Sequence, residues 1–258
     1  MDVALFVTCL TDTFAPRVGV ALVRVLRHLG CVVHFPDQQT CCGQPAYNNG
    51  FFDQAAAMGR RLIDVLSDYP YVVSPSGSCV AMIRHHLPKL LADDPACAAA
   101  ARELARRTFE PVGFLADVLR LDFASIECAE RRPLTCHYSC HLRGVLSPEQ
   151  AVRPLCSLRG VDYRPLNGLE QCCGFGGAFG ALHPDISAAM TRDKLDAIAA
   201  TGARVVVSNE AGCTLTLAGA ARRQGLELEF KHFVELLAES LGLLAPAGDH
   251  AACQAELP

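Results

Sequence analysis

Four cysteines recur in the same order in the two halves of the chain, and this recurrence constrains the fold more than any other feature. Cys9 and Cys140 are 131 residues apart, as are Cys41 and Cys172, and Cys42 and Cys173, while Cys79 and Cys213 are 134 apart. The three-residue difference falls between the Cys-Cys pair and the last cysteine, where a loop or helix can absorb it. A repeat of this kind implies two homologous lobes, 1–128 and 129–242, each written as Cys, then Cys-Cys-Gly, then Cys, followed by a loose tail over 243–258.

The pattern between the cysteines predicts α/β architecture. Val3–Leu10, Cys31–Phe35 and Tyr71–Ser74 read as strands, and Pro16–Leu29, Phe51–Leu66 and Cys79–Leu91 as helices. Two further helices are expected over Pro95–Arg107 and Pro111–Leu119, then a polar linker over Glu127–Pro133. The pattern restarts with strands at Leu134–His141, Val161–Leu166 and Val205–Ser208, and helices at Pro148–Leu158, Gly180–Ala200 and Cys213–Gln224. Such alternation favours, in each lobe, a small parallel sheet flanked by helices, with the cysteine-bearing loops at the carboxyl ends of the strands.

Composition narrows the chemistry. The chain has 258 residues, is 51% hydrophobic and 19% charged, and sets 23 basic against 27 acidic side chains, which speaks against disorder and against a nucleic-acid partner. It has no apolar run of the roughly 18 residues that a membrane span needs, and Met1-Asp2-Val3 lacks the positive start of a signal peptide. A cytoplasmic protein is therefore expected. In that reducing compartment 14 cysteines are anomalous, because a chain of this size needs no disulfides, so metal or redox chemistry is the expectation.

Soft thiolates select iron–sulfur clusters, zinc or copper(I), and four from a rigid scaffold satisfy either a 4Fe-4S cluster or a tetrahedral zinc. The expected ligands are Cys9, Cys41, Cys42 and Cys79 in one lobe and Cys140, Cys172, Cys173 and Cys213 in the other. Structural zinc sites use short Cys-x-x-Cys clips. Here an adjacent pair is flanked by long gaps, and diverging neighbours suit a multi-iron core better than one ion. Gly43, Gly174, Gly176 and Gly177 would let backbone N–H groups approach that core. Gly174–Phe179 is not a dinucleotide loop, since Phe179 occupies the third-glycine position.

Cys31, Cys97, Cys128, Cys156 and Cys253 have no counterpart in the other lobe and read as small hydrophobes. Cys136 would lie about 13 Å from Cys140 along a strand, too far to share its cluster. His137 and His141 flank Cys140 and could hydrogen-bond a cluster sulfur, tune its potential or carry a proton, or else serve as surface or cap residues. Phe175 and Phe179 read as core or shielding, and the Arg106-Arg107, Arg131-Arg132 and Arg222-Arg223 pairs as solvated faces. The catalytic residues are unknown: no nucleophile triad stands out, nor a base and hydride acceptor for oxidising a hydroxy acid.

The segments Leu5–Leu10, Cys41–Asn48, Val72–Cys79, Ser139–His141 and Cys172–Gly177 resemble the CCG, or cysteine-rich, family over residues 1 to about 240. That family includes the cysteine-rich subunit of heterodisulfide reductase and the iron–sulfur subunits of glycolate- and lactate-oxidising systems. The resemblance implies a soluble subunit that works with two companion subunits in oxidising L-lactate to pyruvate, and the two thiolate sites could relay electrons within it, as expected of an electron-transfer subunit. In the wider family the last element is Cys-x-x-Cys, whose extra cysteine helps hold a non-cubane cluster. Ser76 and Glu210 occupy those first positions here, so one ordinary 4Fe-4S cluster per lobe is expected, with zinc a candidate for one site. The two sites are expected about a lobe apart. Alternatives are a thiol or disulfide reductase subunit of heterodisulfide reductase type, and a zinc-stabilised scaffold.

Overall fold

The first half builds a four-stranded parallel sheet. In the computed structural model, which describes residues 1–246, the first half contains β1 (Asp2–Leu5), α1 (Cys9–Phe14), α2 (Pro16–His28), β2 (Val32–His34), α3 (Gln44–Asn48), α4 (Phe52–Leu66) and β3 (Val72–Val73). It continues with α5 (Gly77–Ala81), α6 (Leu87–Leu90), α7 (Ala98–Arg107), β4 (Thr108–Phe109) and α8 (Pro111–Gly113), with π-helical turns after α5 and α8. The strand order is β2-β1-β3-β4, and all three pairings are parallel.

The second half repeats the plan with β5 (Leu134–His137), α9 (Pro148–Ser157), α10 (Ala178–Leu182), α11 (Pro184–Ala200), β6 (Val205–Ser208), α12 (Ala211–Arg223), β7 (Glu229–His232) and α13 (Phe233–Ser240). Its order is β5-β6-β7, also parallel, and a single bridge from Leu134 to Tyr163 stands where the counterpart of β2 would lie. The expected α/β class with two parallel sheets is therefore observed, and both sheets share one topology.

Several expected elements differ in extent. The strand expected to carry Cys9 stops at Leu5, and the one expected to carry Cys140 stops at His137, so each of these cysteines opens a helical turn instead of ending a strand. Val161–Leu166 forms no strand beyond the bridge at Tyr163. The helix expected over Gly180–Ala200 is split at His183, because Pro184 cannot continue the helix before it and instead starts α11. Strands β4 and β7 and helix α13 were not anticipated. The remainder of the tail, with Cys253, lies outside the described residues.

Side-chain alternation explains how the halves join. On β1, Val3 and Leu5 point into one core while Ala4, with Phe6 just beyond the strand, points into another; on β6, Val205 and Val207 separate from Val206 in the same way. The first set from both sheets meets in a single core shared by the two halves, filled by Leu22 and Leu26 of α2 and Phe233 and Leu237 of α13. The second set faces each half's own outer helices. Across the shared core α2 packs on α13, and α8 packs on α9, an exchange that relates the halves by a pseudo-twofold. Arg17 of α2 reinforces it by pairing with Glu235 at 3.3 Å and Glu239 at 3.0 Å on α13.

Candidate metal centre

Parallel strands deliver their carboxyl ends to one side of a sheet, and here the pseudo-twofold turns those two sides toward each other. As a result all eight repeated cysteines line one cavity of about 270 Å³, together with Thr8, Gln44, His141, Phe175 and Glu210. The expectation of two sites about a lobe apart is thus corrected: the quartets face each other across one shared space.

Each quartet is assembled from three segments. In the first half Cys9 opens α1, Cys41 and Cys42 precede the turn into α3, and Cys79 lies in the first turn of α5. Cys42 Sγ lies 3.1 Å from Cys79 Sγ. In the second half Cys173 Sγ lies 3.1 Å from Cys213 Sγ, and Cys140 Sγ lies 3.9 Å from Cys172 Sγ. In each half the second cysteine of the adjacent pair thus meets the last cysteine, and all eight thiols line the one cavity.

The turns after the adjacent pairs depend on glycine. Gly43 and Gly174 both sit at φ +87°, a left-handed conformation that side chains resist. This geometry points the Gly174 N–H at Cys172 Sγ, 3.4 Å away. Helix caps set the last cysteine: Ser76 and Glu210 cap α5 and α12 at equivalent places, each immediately before the first residue of its helix.

Crowding the thiols splits their proton affinities. The Cys42 thiol, more than burial can oppose, holds Cys41 down to about 6, and Cys140 and Cys173 hold Cys172 low in the same manner. Their partners shift the other way: Cys42 and Cys140 are pushed up chiefly by the neighbouring thiol and then by burial. Each quartet thus stabilises a thiolate at Cys41 or Cys172, the form that binds metal. A soft, partly anionic, converging donor set fits a soft metal or an iron–sulfur core.

The cysteines without counterparts lie elsewhere. Cys31 and Cys128 are buried, Cys97 is half-buried and Cys156 is exposed, and none lines the cavity. Cys136 is buried in β5, with its thiol pushed up to about 12 by desolvation. Among the histidines, His141 lines the cavity, with Nδ1 3.6 Å from Cys140 Sγ.

Sequence reasoning did not foresee the contact between Ser76 and Glu210. Ser76 Oγ donates to Glu210 Oε2 at 3.1 Å, and the Ser78 N–H donates to the same oxygen at 2.8 Å, joining the halves at the cavity floor. Burial, then the charge on Cys213, raises the Glu210 carboxyl to about 7. The signal was present as arithmetic, since Ser76 and Glu210 are 134 residues apart, the same offset as Cys79 and Cys213.

The chain is 40% identical over 243 residues to lactate utilization protein A of Exiguobacterium sp., covering 93% of this chain and 98% of that protein. It is 40% identical over 238 residues to the protein of that name from Shouchella clausii, covering 92% and 98%, and 39% identical over 238 residues to that from Bacillus subtilis, covering 92% and 99%. A family model described as CCG, cysteine-rich domain, matches residues 3–84 and 134–218, one match in each half. With both cysteine quartets inside those spans, the chain belongs to the CCG cysteine-rich domain family.

Proposed function

We propose that this chain is an iron–sulfur electron-transfer subunit of a multi-subunit system that oxidises L-lactate to pyruvate, letting lactate serve as a carbon source. The observation that carries the proposal is the convergence of two cysteine quartets on one cavity. The name shared by relatives at 39 and 40% identity directs it to lactate.

Cys9, Cys41, Cys42 and Cys79 would hold one 4Fe-4S cluster, and Cys140, Cys172, Cys173 and Cys213 the other, with zinc the rival occupant of one site. Such a cluster, when bound, accepts and releases single electrons at a potential set by its ligands, charge and hydrogen bonds. The chain's own contribution is positioning. The Gly174 N–H favours the thiolate at Cys172, the opposed quartets bring the two centres to one cavity, and Phe175 forms part of its wall. Companion subunits would carry the chemistry at the lactate carbon, and a cytoplasmic location accords with this role. No described helix is long and apolar enough to cross a membrane.

Metal analysis of the anaerobically purified full chain tests the proposal. Iron and acid-labile sulfide should be present, with a broad visible absorption that bleaches on reduction. Cys42→Ala and Cys173→Ala should each lose about half the iron, one of two equal sites, and Cys97→Ala none. Iron-free, zinc-loaded protein, or equal iron loss in all three variants, would overturn it.

A further inference from the structure

His137 ends β5 and is 1% exposed, yet neither Nδ1 nor Nε2 has a hydrogen-bond partner. An imidazole always carries polar groups at both nitrogens, and each one buried unpaired costs about 1–3 kcal/mol. Orphaned atoms of this kind mark a place where a partner belongs. Its chemistry follows from the surroundings: a ring nitrogen of His137 and the sulfurs of Cys173 and Cys213 lie within 4.8 Å of one another, all buried. Imidazole joins thiolate as a ligand of both zinc and iron.

The first half has no such group. The 131-residue register that pairs Cys9 with Cys140 pairs His137 with Phe6, which is fully buried and offers no donor atom. The two quartets are matched in sulfur and unmatched in nitrogen.

We propose that His137 joins Cys173 and Cys213 as a ligand to the metal of the second quartet, in place of one of that quartet's other two cysteines, so that one centre is all-thiolate and the other mixed. This rests on the metal-binding reading of the proposed function. Neutral imidazole in place of thiolate raises the potential of iron–sulfur centres, so the second centre titrates at the higher potential of the two.

The test uses the full chain, labelled with ¹⁵N-histidine, reconstituted anaerobically with iron and sulfide, and studied by pulsed electron paramagnetic resonance after reduction. A strongly coupled nitrogen that responds to the isotope is expected. It should vanish in His137→Phe, which copies the first half, and the higher potential should fall toward the lower. His141→Ala should keep the signal, assigning it to His137 even where His137→Phe fails to fold. Two intact centres without a coupled histidine nitrogen would overturn the inference and leave the proposed function standing. Should the chain take up only zinc, the proposed function fails, and zinc-edge absorption decides the ligand: a nitrogen at about 2.0–2.1 Å that is lost in His137→Phe supports it, and a sulfur-only shell overturns it. A chain that binds neither metal overturns both.

Discussion

Equivalent residues in the two halves carry unequal loads. A Cβ on Gly174 would meet Ser187 O at 2.5 Å and Thr191 Oγ1 at 2.8 Å, whereas on Gly43 the nearest atom is Ala55 O at 3.3 Å. Left-handed strain alone costs about 1–2 kcal/mol. Gly43→Ala should therefore lower stability by about that amount, and Gly174→Ala by clearly more, since Thr191 also holds Cys173 O at 2.8 Å. Urea midpoints of the two variants check the order. Buried Glu110, which accepts from the Gly113 N–H, gives a pH dependence. Burial, against the Gly113 and Val112 amides, raises its carboxyl from 4.5 to about 7. Below pH 4.5 both folded and unfolded chains hold the proton; above it the unfolded chain releases the proton first, so this group's contribution is lost as pH rises through about 7. Glu110→Gln should remove that slope, gaining up to roughly 3 kcal/mol over wild type above pH 7 and little below pH 4.5. Urea titrations across pH 4–8 would show it, and parallel curves would refute it.

At the scale of elements, the loop that carries Cys172 and Cys173 depends on one side chain from a helix. Lys194 of α11 is fully buried, and its Nζ donates to Gly168 O at 2.9 Å and Leu169 O at 3.0 Å. Lys194→Met keeps the length and leaves two carbonyls unpaired, so stability should fall by about 2–3 kcal/mol, and a chelator should strip metal from the second quartet sooner than from the first. Equal stripping rates would dismiss this role. The elements themselves were legible where the signal is local. Val205–Ser208 is a strand as expected, since a run of valines buried on both faces suits a parallel sheet. Helix α2 begins at Pro16 and ends at His28, one residue from the expected end. What escaped was decided by tertiary pairing. β4 is two residues long and exists because β3 offers it an edge, and β7 reads Glu-Phe-Lys-His, where buried Lys231 is admitted by Glu239 at 2.8 Å and Glu130 at 3.3 Å. No local pattern announces such strands.

For the whole molecule, the shared core predicts one cooperative unfolding transition. Leu22 of α2 is fully buried in it, beside residues of both sheets. Leu22→Ala should cost about 2–5 kcal/mol and shift probes placed in either half together. Two separated transitions would contradict a common core. The candidate site was legible as eight residue numbers because the repeat preserves cysteine order. Its arrangement was not, because the opposition of the quartets comes from the exchange of α2 with α13 and α8 with α9, which neither half encodes alone.

The bond between Ser76 and Glu210 has a consequence for how such a molecule can exist at all. The two positions are copies of one another, meeting where the halves meet. In an assembly of two identical chains that spot would carry the same side chain twice, serine against serine or carboxylate against carboxylate. Once the two copies differ in sequence, the hydroxyl can stand on one side and the acid on the other, and a single polypeptide keeps them paired one to one. Carrying both copies in one chain thus fixes the mismatch at their seam in every molecule.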